Sequence, residues 1–99
     1  MELGGQIKSM REAFEMTREQ FSTLLGVHSS TLYRWESSSR PNPDPLQRSL
    51  LAAIEILQER HSEFGVKHVG SVLKREVTVF GHLRGIYRLL QIFYGRGPI

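Results

Sequence analysis

Apolar side chains recur at helical intervals through the first part of the chain. Ile7, Met10 and Phe14 share one face of a helix predicted over 6–14. Gly26 then separates two further short helices, predicted over 18–25 and 29–37, since glycine enters the left-handed region without steric cost. The inward-facing positions of these two helices are Phe21, Leu24, Leu25, Leu32 and Trp35. Residues 1–5 are predicted to be a frayed start.

A fourth helix is predicted over 46–60, after a loop. Three prolines stand within five residues at 41–45, and no helix continues through such a run. The inner stripe of this helix is predicted to comprise Leu46, Leu50, Ile54 and Leu57, with Leu51 and Ala53 beside it. These four helices account for the chain up to about residue 63.

The last third of the chain leaves three questions open. Its run 77–80 is rich in β-branched residues, which fits a short strand as well as a helix. A second apolar stripe advances by 3, 4, 3 and 4 residues, as in a heptad seam: Phe80, Leu83, Tyr87, Leu90 and Tyr94. This stripe is either the seam of a homodimer, which we favour, or part of the intramolecular core. Arg84 and Arg88 beside it are either a solvated face or an extra DNA contact.

The segment 17–36 combines a capped helix start with a polar second helix. Thr17 stands three residues before Gln20, which is the capping-box spacing. In the second helix, Leu32 and Trp35 are expected to face the core. Four polar or amphipathic positions then remain for solvent or a ligand, namely Ser29, Ser30, Tyr33 and Arg34.

Composition narrows the function classes. The 99 residues suit one domain, or one small domain with an appended helical element, and the absence of cysteine excludes disulfides and thiolate metal sites. The four histidines have no close ligand spacing, so no metal or other cofactor is expected. No enzyme motif is present, and we expect no catalysis. Without a signal peptide or an apolar run of about 20 residues, we expect an intracellular protein that does not contact membranes.

Charge is distributed unevenly. Residues 1–63 carry seven Lys or Arg and nine Asp or Glu, a net of −2, whereas 64–99 carry six and one, a net of +5, which together make the +3 of the chain. A basic protein favours polyanionic partners such as nucleic acid. Because the first part is not itself basic, its acids must lie away from any DNA-binding face.

The segment 17–36 resembles the Cro/C1-type (Xre) helix-turn-helix family. Thr17 matches the cap, Leu25-Gly26-Val27 the turn, and Arg34-Trp35-Glu36 the end of the second helix. The resemblance extends over about 7–57. It implies an all-α, lambda-repressor-like five-helix DNA-binding domain, here 1–63, completed by a short element near 64–69. Residues 64–99 would be a C-terminal helical extension, and we expect it to dimerise.

The resemblance also implies roles for individual residues. Expected base contacts are Ser29, Ser30, Tyr33 and Arg34, and Arg34 is the best reader because arginine forks onto guanine O6 and N7. Expected phosphate contacts are Thr17, Arg18, His28, Ser38 and Arg40. Arg11 and Glu36 match positions that pair structurally in the family. His28 departs from the usual Ser or Thr, and as a poorer cap it would shift the N-cap to Ser29.

We therefore expect this protein to regulate transcription. We expect an autoregulating repressor that binds double-stranded DNA as a homodimer on a palindromic operator, in the cytoplasm of a bacterium and near its nucleoid, encoded by the bacterium or a phage. The alternative is an antitoxin that binds DNA through the helix-turn-helix and a toxin through 64–99. A third class is a protein-binding module without DNA affinity.

Overall fold

Six α-helices and no strand make up residues 2–95, the part of the chain that the structure, a computed structural model, describes. Their bounds are Leu3–Ala13 (α1), Arg18–Leu25 (α2), Ser29–Glu36 (α3), Pro45–Arg60 (α4), Glu63–Phe80 (α5) and His82–Tyr94 (α6). The all-α prediction is therefore confirmed. Residues 96–99 of the predicted extension lie outside the described part. None of the described helices is both long and apolar enough to cross a membrane.

Local chemistry explains where the first four helices begin and end. Thr17 and Gln20 form the predicted capping box of α2, and Gly26 ends that helix at φ 75°. A second capping box, between Asp44 and Gln47, starts α4 with Pro45 in the first turn. Proline is well placed there because its missing N–H would have no acceptor within the helix.

Two predictions for the first half of the chain are wrong, one on a helix boundary and one on burial. Helix α1 begins at Leu3, so residues 3–5 of the predicted frayed start are helical, whereas Met1 lies outside the described residues. Its first turn is held because Gly4 lies directly against the backbone carbonyls of Trp35 and Ser38. Leu46 does not belong to the inner stripe, because 62% of it is exposed. It lies in the first turn of α4, before Leu50, the first buried residue of that helix.

Helix α5 is much longer than the short element predicted near 64–69. It runs unbroken to Phe80, so the strand alternative for 77–80 is wrong. Val66, Val69, Leu73 and Val77 are all buried at helical spacing, and burial of this face outweighs the weak strand preference of β-branched residues. Gly81, at φ 90°, separates α5 from α6. Phe80 therefore lies on a different helix from the rest of its predicted stripe.

Helices α5 and α6 pack closely on the helix-turn-helix segment. Gly70 of α5 meets the carbonyl of Phe14, and Gly85 of α6 meets Val77 and Leu24, so no side chain fits at either glycine without a shift. A hydrogen bond of 2.9 Å joins His82 Nδ1 to the carbonyl oxygen of Thr23. One hydrophobic core includes residues from all six helices. The predicted division into a DNA-binding domain, 1–63, and a C-terminal extension, 64–99, therefore stays a prediction about function.

The contact at Gly70 generates a stability prediction. A methyl group in the Gly70→Ala variant would collide with the Phe14 carbonyl, which is backbone and cannot rotate away. Overpacking of this kind costs about 1–3 kcal/mol, more than the gain in helix propensity from Gly to Ala. Urea unfolding should therefore show a lower midpoint for Gly70→Ala. Ser71→Ala, on the exposed side of the same turn, is the control and should unfold close to wild type.

Candidate nucleic-acid interface

Helix α3 separates cleanly into a buried and an exposed face. Leu32 and Trp35 are buried in the core and hold the helix in place. On the other side, Tyr33 is 55% exposed, and Arg34 and Ser30 are exposed as well. Ser29 is half-buried at the first position of the helix. The four predicted base-contact residues thus lie on α3, and Ser30, Tyr33 and Arg34 are open to a partner.

The N-cap of α3 is His28, contrary to the predicted shift of the N-cap to Ser29. The His28 Nδ1 atom accepts a hydrogen bond of 3.2 Å from the Ser30 amide and lies 2.8 Å from the Ser30 hydroxyl. An imidazole that accepts at Nδ1 in its neutral form carries its proton on Nε2. The exposed ring therefore offers an outward N–H donor, which suits the predicted phosphate contact.

The start of α2 offers unpaired backbone donors beside this face. Thr17 Oγ1 accepts from the Gln20 amide at 3.1 Å, and Gln20 Oε1 accepts from the Thr17 amide at 3.0 Å. The amides of Arg18 and Glu19, in the first turn, have no acceptor within the helix. A helix N-terminus with free amides favours an anion such as a phosphate group. The Thr17 hydroxyl accepts from the Gln20 amide and still has its own O–H to donate, so the predicted phosphate contact of Thr17 stays a prediction.

A buried carboxylate ties the first three helices together. Glu36 on α3 has a side chain only 2% exposed, and its Oε2 accepts from Arg11 Nε of α1 at 2.7 Å. Arg11 also donates to the Met16 carbonyl at 3.0 Å. On the other carboxylate oxygen, Oε1 accepts from Arg18 Nε at 3.1 Å. The structure therefore brings the predicted pair Arg11 and Glu36 together and adds Arg18 from α2.

The second role of Arg18 was missed by the sequence reasoning. Its guanidinium lies 5.0 Å from the ring centroid of Tyr33, in addition to its ion pair with Glu36. The side chain remains 39% exposed, so it still presents part of its surface to solvent. Arg18 and Tyr33 are 15 positions apart on different helices, and no spacing rule relates them. Arg18 links the predicted phosphate-contact set to the predicted base-contact set.

The remaining predicted contacts lie on the exposed surface. Arg34 Nη2 is 3.3 Å from Thr31 Oγ1, and Arg34 has no carboxylate within 4.0 Å among residues 2–95. The hydroxyl of Ser38 accepts from the Arg40 amide at 3.1 Å, which orders the loop after α3. Arg40 itself is exposed. The guanidinium of Arg34 is therefore available for a hydrogen-bond acceptor outside the protein.

Much of the acidic charge lies elsewhere on the molecule. Glu55 and Glu59 line one groove, between α1 and α4, and Glu12 and Glu63 line a second groove beside it. Neither groove contains a residue of α3. Glu36, the acid on α3 itself, is neutralised by two arginines. The exposed face of α3 is therefore not opposed by these carboxylates.

The stripe on the last two helices lies at the surface. The buried side of α6 comprises Gly85, Leu89 and Ile92. The predicted seam residues are instead exposed: Phe80 62%, Leu83 80%, Tyr87 60%, Leu90 42% and Tyr94 75%. The interpretation of this stripe as intramolecular core is therefore wrong, whereas its role as a dimer seam stays a prediction. We call these five residues the α6 stripe, although Phe80 ends α5.

The basic residues beside the α6 stripe are partly neutralised. Arg84 lies over the rings of Phe80 and Tyr87, at 5.1 and 5.8 Å from their centroids. Its Nε is 3.4 Å from a carboxylate oxygen of Glu76, and Arg88 Nε is 4.0 Å from the other oxygen. Glu76 therefore reduces the like-charge repulsion that two such faces would have on approach. These contacts favour a structural role for both arginines over an extra DNA contact.

The shared carboxylate generates the second prediction. In a Glu36→Gln variant, Arg11 would lose its counter-ion while its side chain stays 12% exposed. Removing one partner of a largely buried ion pair costs about 3–5 kcal/mol, because the other charge remains desolvated. We expect a clearly lower urea midpoint. Glu12→Gln, an exposed α1 carboxylate, is the control. Equal midpoints for the two variants would show that the ion-pair network does not stabilise the fold.

The comparison with protein families agrees with the geometry. A family model described as "Helix-turn-helix" matches residues 7–48, from the buried Ile7 of α1 into the first turn of α4. Neither the curated proteins nor the solved structures contain a match to this chain. The match covers the ion-pair network, the capped start of α2 and the exposed face of α3. Residues 7–48 therefore form a helix-turn-helix segment of the Cro/C1 type, which is a family of DNA-binding transcriptional regulators.

Proposed function

We propose that this protein is a sequence-specific repressor that binds duplex DNA as a homodimer and regulates its own gene. The observation that carries the proposal is the exposed face of α3, with the Arg34 guanidinium free of carboxylates and the capped start of α2 beside it. We further propose that it acts on the nucleoid in the cytoplasm of a bacterium, whether encoded there or by a phage.

In this proposal, α3 lies in the major groove. Arg34 donates to guanine O6 and N7, and Tyr33, Ser29 and Ser30 contact neighbouring base edges or the thymine methyl group. The Ser30 hydroxyl lies 2.8 Å from His28 Nδ1, the atom that caps α3. The cap therefore orients the hydroxyl that would contact a base. Tyr33 is restrained by the Arg18 guanidinium stacked on its ring. A restrained aromatic side chain loses less entropy on binding than a freely rotating one.

The phosphate backbone would be contacted on both sides of α3, by groups before it in the chain and by groups after it. The first turn of α2 presents the amides of Arg18 and Glu19, and the Arg18 guanidinium and the His28 Nε2–H add donors on the same side. Beyond the C-terminus of α3, Arg40 and Ser38 would contact the backbone from their loop. Such contacts set the register of α3 in the groove without reading sequence themselves.

The α6 stripe supports the homodimer. Its five residues expose roughly 700 Å² of largely apolar side chain per protomer. A standard protein interface buries about 800 Å² on each partner, so a second copy seated on this stripe would form an interface of ordinary size. Two copies related by a two-fold axis would present two α3 helices to half-sites about one helical turn, ~34 Å, apart. An operator that overlaps the promoter would then exclude polymerase.

The same exposed stripe also favours a second candidate. In an antitoxin, the α6 stripe would bind a toxin while α3 binds the operator of the pair. Exposed aromatic and aliphatic side chains of this kind are typical of hetero-complex interfaces as well as of homodimers. A protein that is monomeric alone and copurifies with the product of a neighbouring gene would favour this candidate over the homodimer.

The reading role of α3 is tested by mobility shift with DNA from upstream of the protein's own gene. Wild type should bind this DNA tightly, selectively and with strong salt dependence. Arg34→Ala should bind it about 1–3 kcal/mol more weakly and lose preference at one base position, because the arginine–guanine pair is absent.

Arg40→Ala is the matched control, since it removes the same charge from a predicted phosphate contact. It should weaken specific and unrelated DNA equally and leave base preference unchanged. Unaltered preference in Arg34→Ala would remove Arg34 from the base contacts. Wild-type protein with no affinity for any duplex would contradict DNA binding itself and favour a protein-binding module.

The homodimer is tested by placing charge on the α6 stripe. Leu83→Glu combined with Leu90→Glu should give a folded monomer by light scattering, because four carboxylates would meet across the two-fold interface. Both side chains are exposed, so the helical circular dichroism should persist. His68→Glu with Ser71→Glu, on the exposed side of α5, is the control and should remain dimeric. A dimer that survives both Leu substitutions would exclude this stripe as the seam.

A further inference from the structure

Helix α5 lies along the flank of the DNA-binding segment, outside the residues that match the family. Its Gly70 meets the carbonyl of Phe14, at the end of α1. Two turns further on, Val77 and Thr78 line a groove together with the N-cap and three residues of α2: Thr17, Glu19, Gln20 and Thr23. From Gly70 to Thr78, α5 therefore passes from the α1–α2 turn to the side of α2.

Lys74 occupies the position between these two contacts. It follows Gly70 by four residues and precedes Thr78 by four, and residues spaced in this way share one side of a helix. Lys74 is consequently level with the turn that leads into Thr17. The side chain is partly exposed, and its four-carbon stem lets the ammonium group extend toward the rim of the groove.

The two lysines on this side of α5 differ in their ion pairing. Lys67 Nζ lies 3.8 Å from carboxylate oxygens of both Glu15 and Glu63, so its charge is compensated within the protein. Lys74 has no carboxylate within 4.0 Å among the described residues. Glu19, the acid on the opposite wall of the groove, forms no ion pair there either. Lys74 thus carries an uncompensated positive charge on the stretch of α5 between its contact with Phe14 and the groove that Val77 and Thr78 share with α2.

We propose that Lys74 contacts a phosphate of the DNA backbone next to the phosphate that the α2 N-terminus binds. The inference rests on the proposed function, since it takes the DNA to lie across α3 and the start of α2. It extends the binding site from the family-matched residues to the C-terminal part of the chain. The contact is electrostatic and does not depend on the DNA sequence. It adds one phosphate contact on one strand to those made by residues 7–48.

The salt dependence of binding measures this contact directly. Each phosphate that a protein neutralises contributes about 0.9 to the slope of log K against log salt concentration. Lys74→Gln should therefore lower the slope by about 0.9, both on an unrelated 20-base-pair duplex and on operator DNA. At 0.1 M salt, its affinity should fall roughly eightfold on both duplexes, with selectivity unchanged. Lys74→Arg should retain the wild-type slope, because it keeps the charge.

Arg75→Gln is the matched control. Arg75 is the adjacent residue, is exposed and has no ion pair among the described residues, but it projects about 100° away around the helix. The same loss of charge there should leave the slope near that of wild type. Circular dichroism melts should be alike for both variants, because both side chains reach solvent.

The outcomes separate this inference from the proposed function. A wild-type slope in Lys74→Gln, or an equal decrease in Arg75→Gln, would overturn the Lys74 contact while operator binding still stands. A large loss of thermal stability in Lys74→Gln would also overturn it, because Lys74 would then have a structural role. If wild-type protein shows no salt-dependent affinity for any duplex, the proposed function fails and this inference fails with it.

Discussion

Glu36 and its two arginine partners set the arrangement on which the rest of the DNA-binding part depends. A carboxylate that is nearly excluded from solvent is costly unless it is paired, and here α1 and α2 each supply one guanidinium. Because Glu36 is the last residue of α3, the ion pairs hold that helix from its C-terminal end while Leu32 and Trp35 hold it from the core. The exposed side of α3 is thereby presented in one orientation, as a helix that enters the major groove requires.

Arg18 joins this network to the binding surface. One side chain neutralises Glu36, stacks on Tyr33 and remains partly exposed at the start of α2. The same residue thus contributes to the ion-pair network and to the positions where phosphate and bases are expected. The resemblance to the family accounts for a polar residue at this position, but not for the combination of contacts that arginine makes here. A phosphate bound at Arg18, as we propose, would compete with Glu36 for the guanidinium.

Helices α5 and α6 are joined to the DNA-binding part by close backbone approaches. Gly70 and Gly85 permit these approaches, and His82 bonds to the carbonyl at the end of α2. One side of α6 is consumed by the shared core, which leaves the other side for a partner. Because the packing continues across residue 63, a protein bound to the α6 stripe would be held in a defined orientation relative to α3. Such rigid spacing is what recognition of two half-sites at a set distance demands.

The sequence by itself determined the helix-turn-helix, because its signals are local: a capping box, a turn glycine and apolar residues at helical spacing act within a few positions of one another. The resemblance of this part of the chain to the helix-turn-helix family and the polar positions of α3 can both be recognised in the same short segment. Only the tertiary structure decided that 77–80 is helical, that Leu46 is exposed and that the α6 stripe lies at the surface. Neighbouring helices determine these features, as they do the Arg18 contacts. Burial and side-chain pairing depend on which distant segments meet, and no periodicity along one segment contains that information.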